Sequence, residues 1–269
     1  EEEEKDRLSD LPDAVLQHIM NFMNTRDVVR TCVLSKRWNN LWKHVTTLSF
    51  SSLGKVLFYN KFVPKFLANR DASTSLIDLN IEVYGFKAPN LTRIAKYAAQ
   101  HNAQHLEITT QYNFRGMPTS FFPLMFSCHS LTSLVFGTCV SNPPIKLPKS
   151  LFFPTLKTLH LFNVRFDGGI DHHCVEPFSA CSVLSTLTLE GYSFCNDADT
   201  FCITNSSLSI LKIWDNIIFS DDQLSSTCDL PFLEEVNIKI LSSPMKYSVV
   251  AGWLQYKRVR GERQREHVN

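Results

Sequence analysis

Apolar residues recur along this chain in a fixed phrase, with large aliphatic or aromatic groups at the first, fourth and sixth places of a short run. Leu131, Leu134 and Phe136 make one copy, and Leu156, Leu159 and Leu161 the next. Leu184, Leu187 and Leu189 follow, then Leu208, Leu211 and Ile213, then Leu233, Val236 and Ile238. Aligned on the second apolar place, the copies sit at 134, 159, 187, 211 and 236, in steps of 25, 28, 24 and 25 residues. Inside each phrase apolar and polar residues alternate, which predicts a strand with its leucines on one face. Weaker copies lie earlier, at Leu106 and Ile108, at Leu76, Leu79 and Ile81, and at Val45, Leu48 and Phe50.

This phrase and period fit the leucine-rich repeat template, one strand per unit with the connecting segments stacked behind. Seven or eight strands in a parallel solenoid are expected. Leu57, Phe58, Phe62, Phe66 and Leu67 keep helical spacing, and Pro64 among them predicts one or two short helices. Residues 89–100 predict a helix with Leu91, Ile94, Ala95 and Ala98 on one face. From residue 117 onward, Pro118, Pro123, Pro143, Pro144, Pro148 and Pro154 predict loops and short 3₁₀ turns rather than long helices.

The period changes before Leu48. Leu11, Val15, Leu16, Ile19, Phe22 and Met23 recur at helical spacing, and Val28, Val29, Cys32 and Val33 follow the same rule. Asp10, Thr25 and Ser35 are the candidate caps of three short helices. Helices this short are marginal alone and must pack on each other or on a partner.

The order Leu8-Ser9-Asp10-Leu11-Pro12-Asp13, then Asp27-Val28-Val29-Arg30-Thr31-Cys32-Val33-Leu34-Ser35-Lys36-Arg37-Trp38 and Leu41-Trp42, strongly resembles the F-box motif. The version is that of the large plant family of F-box proteins with leucine-rich repeats. The resemblance implies an α/β repeat fold, a small N-terminal helical F-box followed by a leucine-rich-repeat solenoid with a parallel sheet. It implies a non-catalytic substrate-recognition subunit of an SCF-type ubiquitin ligase. There the F-box docks on a Skp-type adaptor, itself held by a cullin, and the repeats bind the protein to be modified. The adaptor-binding candidates it gives are Leu8, Leu11, Pro12, Val15, Leu16, Ile19, Phe22, Val28, Val33, Leu34, Trp38 and Trp42. A module of this size has too little core to hide them all, though each can instead pack internally or on the first repeats. The alternative is a repeat scaffold that binds protein without joining a ligase. The expected divisions are an acidic disordered N-terminus at 1–7, the F-box at 8–44, repeats at 45–243 and a divergent, partly disordered tail at 244–269. Family members usually continue with further repeats, so the array looks truncated after about residue 255.

Composition changes this picture little. A 44% apolar fraction is that of a folded chain, and a net charge of +1 gives no electrostatic reason for nucleic acid or a membrane surface. No run of 18 apolar residues exists and the first residues are acidic, so an intracellular chain, in cytoplasm or nucleus, with free thiols is expected.

Alternation places a set of side chains on the concave face of the sheet. His160, Phe162, Thr188, Glu190, Lys212 and Trp214 are the substrate-binding candidates. Phe162 and Trp214 stand out as large rings where the repeat needs no filling, either as contacts for a target or covered by neighbouring loops or further chain. Asp171-His172-His173-Cys174 with Cys181 is the one dense Cys/His group, and its spacing matches no zinc pattern. Cys128 and Cys181 each precede a template leucine by six residues, which predicts buried structural thiols. No nucleophile elbow, P-loop or H-E-x-x-H is present, so no catalytic residues, no metal and no cofactor are expected.

Overall fold

The computed structural model describes residue 8 and residues 10–51, 56–84, 88–111, 120–139, 143–166, 174–194, 200–215 and 225–240. The expectations for 1–7, for 171–173 and for the tail lie outside the described residues. The helices are α1 (Asp13–Met20), α2 (Thr25–Arg30), α3 (Trp38–Leu41), α4 (Val56–Asn69), α5 (Ala88–Gln100) and α6 (Phe121–Phe126). The strands are β1 (Thr47–Ser51), β2 (Asp78–Tyr84), β3 (His105–Gln111), β4 (Ser133–Thr138), β5 (Ile145–Lys146) and β6 (Thr158–Phe166). They continue as β7 (Cys174–Val175), β8 (Thr186–Phe194), β9 (Thr200–Thr204), β10 (Ile210–Asp215), β11 (Ser225–Asp229) and β12 (Glu235–Ile240).

One parallel sheet runs β1-β2-β3-β4-β6-β8-β10-β12, with β5 paired to β6. Its eight path strands are the repeat phrases, in register. Leu48, Leu79, Leu106, Leu134, Leu159, Leu187 and Leu211 form one buried row, and Phe50, Ile81, Ile108, Phe136, Leu161, Leu189 and Ile213 a second. Each such side chain contributes about 1.5–3 kcal/mol when fully buried.

A backbone staple repeats with the same period. The carbonyl two residues before each template leucine accepts two N–H groups from the next unit. Lys157 O takes Ser185 N and Thr186 N, both at 2.9 Å, and Ser185 O takes Ser209 N and Ile210 N, also at 2.9 Å. Among the described residues no strand precedes β1 to offer that carbonyl. Asn21 takes its place, its Oδ1 accepting Thr46 N at 3.1 Å and Thr47 N at 3.2 Å. Thr25 Oγ1 accepts Ser49 N at 2.8 Å. The helical module therefore closes the open edge of the sheet, where unpaired backbone would otherwise face water.

The module packs around Leu16, Met20, Val28, Trp38, Leu41 and Val45. Its caps differ from expectation. α1 starts at Asp13 after an uncapped Pro12, and Asn24 rather than Thr25 caps α2, accepting Arg26 N at 3.0 Å. Ser35 caps no helix with its side chain; its carbonyl accepts Trp38 N at 3.1 Å. Of the one or two short helices expected over this stretch, α4 is a single helix of 14 residues, with Pro64 inside it. Proline leaves the carbonyl four residues back without its helical donor. Asn90 of α5 fills that gap, Nδ2 donating to Asn60 O at 3.2 Å and to Asn60 Oδ1 at 2.9 Å.

Behind the C-terminal repeats a second parallel sheet, β11-β9-β7, stands where loops and turns were expected. α6 is a single six-residue helix that holds Pro123.

Candidate functional site

Two surfaces carry the candidate residues. On the helical module, α1 buries Leu16 and Met20 on one face and turns Val15 and Ile19 outward on the other, with Phe22 just beyond its end. Phe22 is 80% exposed and Val33 86%. Leu8, Pro12 and Leu34 are exposed too, while Leu11 and Trp42 are half-buried. Trp42 lies against Phe66 of α4 at 5.1 Å, so it also seams the module to the first repeat. Leu16, Val28 and Trp38, also among the docking candidates, lie on the inward side of the module. They are buried, because three short helices need those side chains as their own core. Arg37 clamps the start of α1, donating from Nε to Asp13 Oδ1 at 2.7 Å and from Nη2 to the carbonyl of Leu11.

The second surface is the open face of the sheet, where outward side chains align in rows across the strands. One row runs Ser49, Asn80, Glu107, Val135, His160, Thr188, Lys212, Asn237. The next runs Ser51, Glu82, Thr109, Gly137, Phe162, Glu190, Trp214, Lys239. The structure brings His160, Phe162, Glu190 and Trp214 together. His160 meets Phe162 at 5.7 Å and the edge of Trp214 at 6.2 Å, so Trp214 on β10 reaches back over β8 toward β6. Thr188 lies between His160 and Lys212 in the first row and is buried. Lys212 turns to Glu235 at 3.9 Å.

Burial lowers the pKa of His160 below the ordinary histidine value, with Glu190 opposing the shift, which leaves the ring neutral at pH 7. Its Nε2 stands 3.5 Å from Glu190 Oε2, an electrostatic contact too long for a well-formed hydrogen bond.

Gly137 is the positioning residue that side-chain patterning passes over. A Cβ there would stand 2.6 Å from Phe162 Cγ and 2.1 Å from its carbonyl oxygen. Phe162 thus lies down over β4 because that site is empty. A glycine within a strand pattern is the signal for such a close approach.

Cys128 and Cys181 are buried, and burial raises the pKa of the Cys181 thiol. Among the described residues, no three His, Cys, Asp or Glu side chains are arranged to hold a metal. No described helix is long and apolar enough to cross a membrane.

Comparison with known proteins gives these surfaces a family. The F-box domain family matches residues 8–49. The leucine-rich repeats of the FBD-associated F-box protein At5g56370 match residues 91–249. Arabidopsis thaliana F-box/FBD/LRR-repeat protein At1g78750 is 28% identical, over 87% of this chain and 53% of its own length. F-box/LRR-repeat protein At3g26922 is 29% identical, over 79% and 68%, and putative F-box/LRR-repeat protein At5g02930 is 30% identical, over 95% and 47%, both from the same plant. The chain spans about half the length of most of these curated relatives. With an F-box match over the helical module and a repeat match over more than half its length, the chain belongs to the plant F-box proteins with FBD-associated leucine-rich repeats.

Proposed function

We propose that this chain is the substrate-recognition subunit of an SCF-type ubiquitin ligase. The helical module docks on a Skp-type adaptor, and through it a cullin, and the open face of the sheet holds the protein to be modified. The chain itself performs no chemistry and brings its target near an enzyme held elsewhere in the assembly. The cytoplasm or nucleus is its expected place.

One observation supports the reading most. The module satisfies its own core with Leu16, Met20, Val28, Trp38 and Leu41, yet leaves Val15, Ile19, Phe22, Val33 and Leu34 in water. Large exposed apolar groups in so small a unit mark an interface.

Co-expression with a Skp-type adaptor tests it. The wild-type chain should co-purify one-to-one, and Phe22→Glu with Val33→Glu should abolish capture while leaving thermal unfolding within a few degrees, since both sites are exposed. A folded wild-type chain that captures no adaptor would leave a repeat scaffold outside any ligase.

A further inference from the structure

A groove opens where the helical module meets α4. It holds about 520 Å³, within the roughly 300–1,000 Å³ of sites that take up small organic groups. Its floor is aromatic. Phe66 is buried, and Trp42 and Phe62 stand half-buried beside it, at 5.1 and 5.9 Å. Lys43, just after α3, and Lys65, on α4, line it from the two sides, with exposed Asn40 beside them. The Lys43 ammonium stands 5.9 Å from the centre of the Trp42 ring. None of Val15, Ile19, Phe22, Val33 and Leu34 lines the groove, so it is separate from the exposed apolar face offered to the adaptor.

The ground around it is basic. α4 and α5 carry Lys61, Lys65, Arg93 and Lys96, all exposed, and no acidic residue. The stretch from Trp38 to His44 adds Lys43 and no acid. Two carboxylates belong to adjoining segments, and both have partners. Asp27 pairs with Arg30 at 3.2 Å, while Asp71 accepts the Ser73 hydroxyl at 2.7 Å and faces His44 at 3.5 Å. Asp78, Glu82 and Glu107 belong to the open face, on the other side of the sheet.

We propose that this groove seats an acidic peptide segment of a partner protein, with one bulky apolar side chain over Phe66 and flanking carboxylates on Lys43 and Lys65. The proposal goes beyond the ligase reading and does not depend on it. Removing the apolar side chain from water drives the binding, and the charge selects which segments enter. Carboxylates further along the segment would meet Lys61, then Arg93 and Lys96 on α5. Nucleic acid suits the same charge but not the rings: base stacking needs an open ring face, and none of the three is exposed. A lipid surface takes up apolar groups that stand proud, and these lie in a recess.

The test uses the full chain and a fluorescently labelled Gly/Ser-rich peptide in which one phenylalanine is flanked by two aspartates on each side. Fluorescence anisotropy should show it binding about tenfold or more tighter than a peptide with serine for phenylalanine, or one with asparagine for aspartate. Lys43→Glu with Lys65→Glu should weaken binding by about tenfold or more. Lys149→Glu, exposed elsewhere in the array, should leave it unchanged. A benzoylphenylalanine in place of the phenylalanine, irradiated on the wild-type chain, locates the anchor without any substitution and should cross-link within 38–44 or 61–69. Equal binding of the serine or asparagine peptide, binding that survives the lysine reversal, or cross-links confined to other segments would each overturn the proposal. Single-stranded RNA or phosphatidylserine vesicles that bind more tightly than the peptide would overturn it too, and would assign the groove to nucleic acid or membrane.

Discussion

Arg70 shows how much one residue can hold. It is buried and is held by oxygens: Nε and Nη2 donate to Val45 O at 3.1 and 2.6 Å, and Nη2 also to Ser75 O at 3.0 Å. Nη1 donates to Thr74 O at 3.0 Å and to Tyr97 Oη at 2.9 Å. These oxygens come from the end of the helical module, the loop before β2, and α5, so Arg70 pins three elements at once. Arg70→Met would strand several buried acceptors, at about 1–3 kcal/mol each when unpaired. Thermal unfolding should fall by roughly 6–12 °C, at about 2–4 °C per kcal/mol for a chain of this size. Arg70→Lys should recover little of it, because one ammonium cannot span the same fork of acceptors. A melting curve of each variant by circular dichroism checks both statements.

Titration at the residue scale gives a second prediction. His101 stacks on Tyr97 at 4.0 Å and meets Thr74 O at 3.2 Å, and burial lowers its pKa, as it does that of His160. Both rings are therefore neutral in the folded chain at pH 7, while in the unfolded chain they take up a proton near pH 6.5. Below that value the unfolded state binds more protons, so the stability these two rings confer is complete above about pH 6.5 and is lost as pH falls toward their folded values. Melting temperatures at pH 7.5 and 5.5 should differ less in His101→Gln than in the wild type. An unchanged difference would remove His101 from the account.

At the scale of elements, the link between α4 and α5 can be tested as a pair. In the wild type, Asn90→Ala removes the bond to Asn60 O in a turn where Pro64 has no N–H to offer. In a Pro64→Ala background the new N–H can take that carbonyl, so the same Asn90→Ala change should cost about 1 kcal/mol less. A double-mutant cycle by urea unfolding measures the coupling, and strictly additive effects would refute it. The same pair explains what the sequence hides. Proline at 64 reads as a helix break, since the residue that rescues the gap lies 26 positions away, in α5. Strand positions were legible because burial of Leu134, Leu159, Leu187 and their counterparts follows a period of two that no partner is needed to interpret. The second sheet was not, since β7, β9 and β11 carry no repeated phrase and pair only with each other. In the candidate sites the aromatic-carboxylate cluster followed from alternation alone. Which apolar residues of the helical module face outward did not, because Leu16 and Val15 look alike until the packing of Trp38 and Val28 decides between them.

At the scale of the whole molecule, the helical module and the sheet are joined by the same hydrogen-bond grammar that joins one repeat to the next. Asn21 supplies the two-acceptor oxygen that a preceding unit would have supplied, and its Nδ2 returns a bond to Thr46 Oγ1 at 3.2 Å. Thr25, buried, serves Ser49 N instead of its own helix. In a repeat array, stability is close to a sum of unit terms and nearest-neighbour terms, so an end unit frays unless something caps it. The module is that cap, and the capping is what fixes the direction from its exposed apolar face to the open face of the sheet. Replacing Asn21 by Ala and Thr25 by Val removes the three bonds that Thr46 N, Thr47 N and Ser49 N donate to it while keeping the apolar volume of Thr25. Hydrogen exchange should then quicken by about ten- to a hundredfold at those three amides, the loss of about 1.4–2.7 kcal/mol of local protection. Amides deep in the array, such as Leu159 and Leu187, should keep their wild-type rates because nearest-neighbour coupling does not carry that far. Equal acceleration everywhere would mean that module and repeats unfold as one unit, and no acceleration at β1 would mean that packing alone, through Trp42 on Phe66, does the joining.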